Sequence, residues 1–255
     1  MSRIPQLLRR VSLQLGALVV LAGLLTACGG PAASSTVATD TTATSSTTAT
    51  TATPVERLQV TTTTSEPPPS GDPTAILVGL RVAPEGARRG YQRELFDHWV
   101  DADHDGCDSR EEVLIAESRS PAQVDPYGCK VVEGDWHSIY DGLTFSDPSE
   151  LDIDHVVALA EAWDSGAANW DADRRQAFAN DLGRPEALRA VSASSNRSKS
   201  DLDPGQWKPT RDAAWCEYAQ DWVTVKKAWD LSADQNEIDD LRVMLRTCGE
   251  RSRQP

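Results

Sequence analysis

The sequence is poor in positive charge. Its 255 residues include 25 Lys and Arg against 39 Asp and Glu, which gives a formal net charge of −14 at pH 7. Non-specific binding along nucleic acid depends on Lys and Arg that neutralise phosphates. The composition therefore excludes a broadly basic protein that coats nucleic acid. It does not exclude an enzyme that meets phosphates at one site, because bound metal ions supply positive charge locally.

Long apolar runs and reactive-site signatures are also scarce. The one apolar run covers residues 15–25, so the chain is not a multi-span membrane protein. There is no Cys-x-x-Cys pair or Cys–His cluster of the kind that binds zinc. The sequence also lacks a nucleophile motif, which argues against a peptidase or another cell-wall hydrolase.

The first 28 residues have the order of an export signal: basic, then apolar, then small residues. The last four, LTAC, resemble the bacterial lipobox, in which Cys28 is lipidated and becomes the N-terminus. The alternative is simple cleavage near Ala27, which would leave Cys28 free. We expect a lipoprotein-type signal peptide over residues 1–28. The protein is then exported, either as a lipoprotein on the outer face of the cell membrane or as an extracellular protein.

Residues 29–74 have the composition of a disordered linker. Residues 34–53 are almost entirely Ser, Thr and Ala, and residues 61–73 read TTTTSEPPPSGDP. Such segments cannot bury enough apolar surface to offset their chain entropy. We therefore predict a disordered linker over 29–74 and one folded domain over 75–255.

Four further cysteines lie in the predicted domain: Cys107, Cys129, Cys216 and Cys248. An even number in an exported domain predicts disulfides. Apolar residues recur at helical spacing over 211–229 and 233–247. If the two helices form an antiparallel hairpin, Cys216 and Cys248 lie opposite each other. The pairing Cys107–Cys129 then remains.

An acidic segment follows a short amphipathic helix that we predict over residues 91–99. It completes the pattern D-x-D-x-D-G-x5-E of a calcium-binding loop. The ligands would be four carboxylates: Asp101, Asp103, Asp105 and Glu112. Two features weaken the match, because Asp108 stands where such loops have an aliphatic residue and Cys107 is predicted to form a disulfide. The alternative is an acidic turn before the next helix.

A strand–strand–helix order follows. Residues 151–159, LDIDHVVAL, predict a strand that places Asp154 and His155 side by side. About thirty residues later, residues 188–194 predict a second strand. It runs into residues 195–201, SNRSKSD, which predict a turn that opens a short helix.

The motifs DIDHVV and SSNRSKSD in this order resemble those of HNH (His-Me finger) endonucleases, including the HNH domain of type II CRISPR effector nucleases. The chain is more similar still to a secreted HNH family related to the C-terminal domain of the GmrSD restriction enzyme. DADHDGCDSREEVL, CKVVEGDWHSIYDG, FANDL, WKP and the Trp-rich C-terminal helix also match that family. The resemblance covers about residues 90–245. It implies an α+β fold with a ββα-metal core and added helices, including a C-terminal helical hairpin.

The resemblance assigns roles to four residues. His155 can accept the proton of the attacking water, because an unperturbed imidazole has a pKa of about 6.5. Asp154 supplies an anionic ligand for a divalent metal, with Mg²⁺ favoured and Mn²⁺ possible, and Asn196 is the second ligand by resemblance. Lys199 would hold a neighbouring phosphate as a point charge. Asp152 lies on the same strand face as Asp154 and could join the site.

These features together predict an exported, metal-dependent HNH endonuclease that hydrolyses phosphodiester bonds. Its expected partner is nucleic acid, with DNA favoured, and its membrane contact is the lipid anchor only. Little sequence specificity is expected, because nothing resembles a module that reads bases. The alternative is a non-catalytic cell-envelope binding protein on an HNH scaffold, stabilised by Ca²⁺. The sequence carries no signal for the oligomeric state.

Overall fold

The computed structural model of the protein describes residues 71–251. The predictions for the signal peptide and its Cys28, and for the linker up to residue 70, lie outside the described residues. Between 71 and 251 the fold is mixed α/β, with six α-helices and four two-stranded sheets. No helix in this part of the chain has both the length and the hydropathy needed to cross a membrane.

The elements are short apart from the two C-terminal helices. The helices are α1 (Ser109–Glu117), α2 (Leu159–Asp164), α3 (Ala172–Ala179), α4 (Ala193–Lys199), α5 (Trp215–Ala228) and α6 (Gln235–Arg251). The strands are β1 (Arg81–Val82), β2 (Gln123–Val124), β3 (Val131–Glu133), β4 (Trp136–His137), β5 (Thr144–Phe145), β6 (Leu151–His155), β7 (Leu188–Ser192) and β8 (Ser232–Ala233). The pairs β2–β3, β4–β5 and β6–β7 are antiparallel, and β1–β8 is parallel.

The β6–β7 pair and α4 realise the predicted strand–strand–helix order. Asp154 pairs with Arg189 and His155 with Leu188, so both predicted site residues lie at the end of the ladder. Helix α4 begins directly after β7, where the Ser192 side chain accepts a hydrogen bond from the backbone N–H of Ser195. The short connection forces α4 to pack against both strands.

Strand β6 is shorter than the sequence predicts. It ends at His155, and after Val156 donates its N–H to the Ala187 carbonyl the chain turns into α2. Every residue of α2 is buried. The run of apolar residues up to Leu159 therefore includes the start of a buried helix. A short apolar run of this kind does not distinguish a buried helix from a buried strand.

The C-terminal hairpin and both disulfides agree with the prediction. Helices α5 and α6 pack together, and Cys216 joins Cys248 with their Cα atoms 5.0 Å apart. Cys107 joins Cys129, with a Cα separation of 4.7 Å. A 3-10 turn, Pro73–Leu77, packs against α5 and α6 and spans the predicted boundary between residues 74 and 75.

The predicted helix over residues 91–99 is wrong. Only a 3-10 turn forms there, Arg93–Leu95. The chain leaves helical geometry at Phe96, and Trp99 has a left-handed backbone with φ 62°. The amphipathic spacing instead places Phe96 in the core and leaves Trp99 half-buried beside it.

Candidate active site

A cavity of about 330 Å³ opens where β6 ends and α2 begins, against the second half of α4. Three of the four predicted site residues line it: Asp154, His155 and Asn196. Two arginines, Arg93 and Arg197, also line the cavity and carry positive charge. The fold thus brings together residues that lie about forty positions apart in the chain.

His155 is buried, and its environment fixes which ring nitrogen carries the proton. Nε2 lies 2.9 Å from the carbonyl oxygen of Ala179 at the end of α3. A carbonyl can only accept, so Nε2 donates and Nδ1 is the unprotonated acceptor. Burial lowers the pKa of His155 to about 3, and the positive charge of Arg93 acts in the same direction. The imidazole is therefore neutral at pH 7, with Nδ1 unprotonated.

Two aromatic rings, those of Trp99 and His98, lie beside the imidazole of His155. The Trp99 ring lies 5.5 Å from the imidazole, centroid to centroid, at an interplanar angle of 34°. The His98 ring lies 6.3 Å away and is nearly perpendicular. Sequence reasoning gave neither residue a role at the site. No local pattern indicates this contact, because it depends on the left-handed backbone of Trp99.

Asp154 is held from both sides. The ammonium of Lys199 donates to Oδ1 at 2.9 Å, and the Tyr140 hydroxyl donates to Oδ2 at 2.7 Å. Burial raises the pKa of the Asp154 carboxyl, while Lys199 and Tyr140 oppose that shift. Burial also raises the pKa of Tyr140 well above its usual value, so the hydroxyl keeps its proton and remains a donor. Sequence reasoning missed Tyr140.

The structure contradicts the predicted role of Lys199. Its side chain has no exposed surface, and its ammonium donates to Asp154 and to the backbone oxygen of His155. It therefore cannot hold a phosphate in this arrangement. Its charge compensates the buried Asp154 carboxylate instead.

Asn196 lies on α4 at the cavity. Its Nδ2 donates to Oδ2 of Asp152 at 3.2 Å, which leaves the carboxamide oxygen free to act as a ligand. Arg197, whose side chain is 75% exposed, also approaches that carboxylate. Asp152 thus enters the site as an anchor for Asn196, which the sequence left open.

The donor set fits a hard divalent cation. Asp154 offers an anionic oxygen and Asn196 a neutral one, which are the ligand types that Mg²⁺ prefers. A carboxylate has about four lone-pair positions, so the bonds from Lys199 and Tyr140 leave capacity for a metal. With only two protein ligands, the ion would keep most of its water, as Mg²⁺ does.

The acidic segment forms a second group of carboxylates, and the structure brings its four predicted ligands into two overlapping sets. Ligand atoms of Asp101, Asp103 and Asp105 lie within 4.8 Å of one another. Carboxylate oxygens of Asp105 and Glu112 are equally close, beside the sulfur of Cys107, which the disulfide prevents from acting as a thiolate ligand. Oδ1 of Asp101 is buried and has no hydrogen-bond partner among residues 71–251. Burial raises the pKa of Glu112, and the facing Asp carboxylates add to that shift.

Comparison with known proteins gives two matches. Residues 111–244 match the family model described as GmrSD restriction endonucleases, C-terminal domain. The chain is also 41% identical over 194 residues to an uncharacterized secreted protein of Arthroderma benhamiae, a match that covers 74% of this chain and 93% of that protein. No solved structure matches the chain.

Proposed function

We propose a function from the premise that the chain belongs to the family of the GmrSD restriction endonuclease C-terminal domain. That family suggests a nuclease-like protein that uses a divalent metal. The finer proposal is an HNH endonuclease with a ββα-metal core, made of β6, β7 and α4, that hydrolyses phosphodiester bonds. Its proposed substrate is DNA, cut with little sequence specificity.

One observation carries this proposal: a neutral imidazole, whose Nδ1 has no hydrogen-bond partner among residues 71–251, shares a cavity with two oxygen donors suited to Mg²⁺. Hydrolysis of a phosphodiester needs a proton acceptor for the attacking water and positive charge at the phosphate. His155 provides the first requirement. The side chains of Asp154 and Asn196 would hold the ion that provides the second.

Each side chain at the candidate active site then has one role in the proposed reaction. His155 accepts the proton of the water at Nδ1, and its bond to Ala179 keeps the ring in the required tautomer. The metal, when bound, stabilises negative charge on the phosphate and the leaving oxygen. Arg93 and Arg197 at the cavity supply further positive charge for neighbouring phosphates. Lys199 and Tyr140 keep Asp154 in place.

The proposal includes export. The relative from Arthroderma benhamiae is described as secreted, and the first 28 residues of this chain have the order of an export signal. Anchoring at Cys28 would hold the enzyme at the outer face of the membrane. A Cys28→Ser protein should then leave the membrane fraction, because the substitution removes the residue that would carry the anchoring acyl chains.

A plasmid-nicking assay tests the catalytic proposal. The wild type should nick supercoiled DNA with Mg²⁺ or Mn²⁺ and lose activity in EDTA. His155→Ala should slow nicking by at least ~100-fold, because general-base catalysis contributes about 10²–10⁴-fold. His137→Ala is the matched control, since it removes a histidine outside the cavity lining.

The two central residues should fail in different ways. Asp154→Ala should lose metal-dependent DNA binding along with nicking, whereas His155→Ala should keep it, because only the former removes the anionic ligand. Asn196→His should retain part of the activity that Asn196→Ala loses, because imidazole also binds metals. A His155→Ala protein that nicks at the wild-type rate would refute the mechanism.

The acidic segment favours a second candidate function, a non-catalytic envelope protein stabilised by Ca²⁺. The specific observation is the buried Oδ1 of Asp101, which has no hydrogen-bond partner in the described part of the chain and lies beside facing carboxylates. In that case Ca²⁺ should raise the melting temperature of the wild type but not of Asp105→Asn, and no condition should give nicking. Nicking that depends on His155 excludes this candidate as the whole function.

A further inference from the structure

We infer that Asn180 is the positioning residue that fixes the imidazole of His155 for proton transfer. The inference rests on the proposed function. Asn180 follows α3 directly and does not line the cavity. It acts on the site through its neighbour Ala179 and through the segment that carries Trp99.

The Asn180 carboxamide uses its full hydrogen-bonding capacity. Oδ1 accepts from the backbone N–H of Val100 at 3.0 Å and from the Ser109 hydroxyl at 2.6 Å. Nδ2 donates to the carbonyl oxygens of Asp97 at 2.7 Å and Gln176 at 2.8 Å. Two acceptor and two donor positions are all that an Asn side chain has. Asn180 therefore joins α3 to α1 and to residues 97–100.

This arrangement holds both sides of the His155 ring. On one side, Asn180 ends α3, so that the Ala179 carbonyl is free to accept from Nε2 of His155. On the other side, Asp97 and Val100 flank the residue pair that contains Trp99. Bonds to both flanking residues hold Trp99 in its left-handed conformation, with its ring 5.5 Å from the imidazole.

Only a carboxamide can make this set of bonds. Two of the four partners are carbonyl oxygens and need donors, and the other two are an N–H and a hydroxyl. An Asp side chain has the same shape but no donor, so it would set a negative charge against two carbonyls. Asn180→Asp is therefore a substitution that changes the hydrogen bonds with little change in volume.

The experiment compares Asn180→Asp with Gln176→Ala in the full-length protein. Gln176 lies on the same helix, and its side chain also donates to Asp97, but to the exposed carboxylate. Histidine labelled with ¹⁵N reports the tautomer of each ring, and His155→Ala assigns its signal among the four histidines of the chain. Steady-state nicking of a plasmid gives kcat and KM for each protein.

Asn180→Asp should shift His155 from the single Nε2–H tautomer to a mixture. It should also lower kcat by about 100-fold with KM nearly unchanged, because a small misplacement of a catalytic group has an effect of that size. Gln176→Ala should leave both readouts as in the wild type. If Asn180→Asp does not fold, Ser109→Ala removes one of the four bonds and should lower kcat by about fivefold.

A folded Asn180→Asp protein with the wild-type tautomer and kcat would overturn the inference, as would an equal effect of Gln176→Ala. The unfolding of Asn180→Asp together with an unchanged Ser109→Ala would overturn it as well. A wild type that does not nick DNA refutes the proposed function instead. The nitrogen shifts of His155 then decide the positioning role without any activity.

Discussion

Two lysines of this protein have no exposed surface, and their surroundings differ. Lys199 donates to one carboxylate, that of Asp154, and to one backbone carbonyl. Lys226 donates to two carboxylates, Glu161 at 2.7 Å and Glu237 at 2.8 Å, and to a backbone carbonyl at 2.7 Å. Both are buried charges with good partners, yet only one lies at the candidate active site.

The two lysines differ in whether the carboxylates that they bind are accessible from a cavity. Asp154 lines a cavity, where an oxygen of its side chain can meet a ligand. Glu161 and Glu237 are buried between α2, α5 and α6, and the indole of Trp222 donates to Glu237. Lys226 therefore joins three helices, whereas Lys199 holds a carboxylate that lines the candidate active site. Burial of a charge indicates function only where a cavity gives access to its partner.

The largest expected effect is that of Lys226→Met on stability. The change leaves two buried carboxylates without their cation, and breaking a buried pair in this way costs about 3–5 kcal/mol. Unfolding in urea, followed by tryptophan fluorescence, measures the change. Lys227→Met is the control on the same helix, because Lys227 is exposed and should cost less than about 1 kcal/mol. If Lys226→Met lowers the free energy of unfolding no more than Lys227→Met does, Lys226 does not have the structural role assigned to it.

Lys199→Met should destabilise the protein less but should abolish nicking. Asp154 lines the cavity, so water can hydrate its carboxylate once the ammonium is gone, and we expect a loss of about 1–3 kcal/mol. The same urea titration and the nicking assay measure both effects, with Arg197→Met as a folding control on α4. A loss of stability equal to that of Lys226→Met would contradict the distinction between the two lysines.

The smallest expected effect is on the pH dependence of stability, and it comes from a cluster of three carboxylates near Lys226. Glu85, Glu161 and Asp203 bring their carboxylates within 4.8 Å of one another. Burial raises the pKa of Glu85 to about 7, and the charges of Glu161 and Asp203 add to the shift. The folded state thus binds the proton more tightly, and stability declines as pH rises from about 4.5 to about 7.

Glu85→Gln removes that ionisation, so it should stabilise the protein at pH 8 and not at pH 4. Glu85 is exposed, and solvent screening keeps the gain below about 1 kcal/mol. Melting temperatures at the two pH values measure it, with the exposed Glu94→Gln as the control. A gain at pH 4 as large as that at pH 8 would show that the charge of Glu85 is not the cause.

Local sequence patterns predicted much of the fold. The order of β6, β7 and α4 follows from hydrophobic runs and a helix-opening turn, and both disulfides follow from the helical hairpin and an even cysteine count. The strand pattern placed Asp154 and His155 side by side, and the resemblance to the family added Asn196, which the structure brings to the same cavity. These features depend on short-range spacing, which a sequence displays directly.

The supporting residues could not be predicted in this way. Tyr140, Trp99 and Asn180 reach the site through long-range packing. Tyr140 and Asn180 lie in segments that match the family, but nothing in those segments indicates their contacts at the site. The burial of Lys199 had one weak signal, since Ser195 lies four residues earlier on the same buried helix face. A short polar segment with two basic residues nevertheless indicates a solvated surface, and the tertiary pairing with Asp154 overrides that indication.

The parallel β1–β8 pair bears on how the chain acquires its fold. It joins Arg81 to Ser232, so one of the first described segments pairs with a strand that lies just before the last helix. Closing so long a loop costs chain entropy before it brings any contact, which makes such pairing a late event in folding. In a nascent chain, residues 81–82 therefore cannot pair with residues 232–233 until nearly all of the chain has emerged from the ribosome.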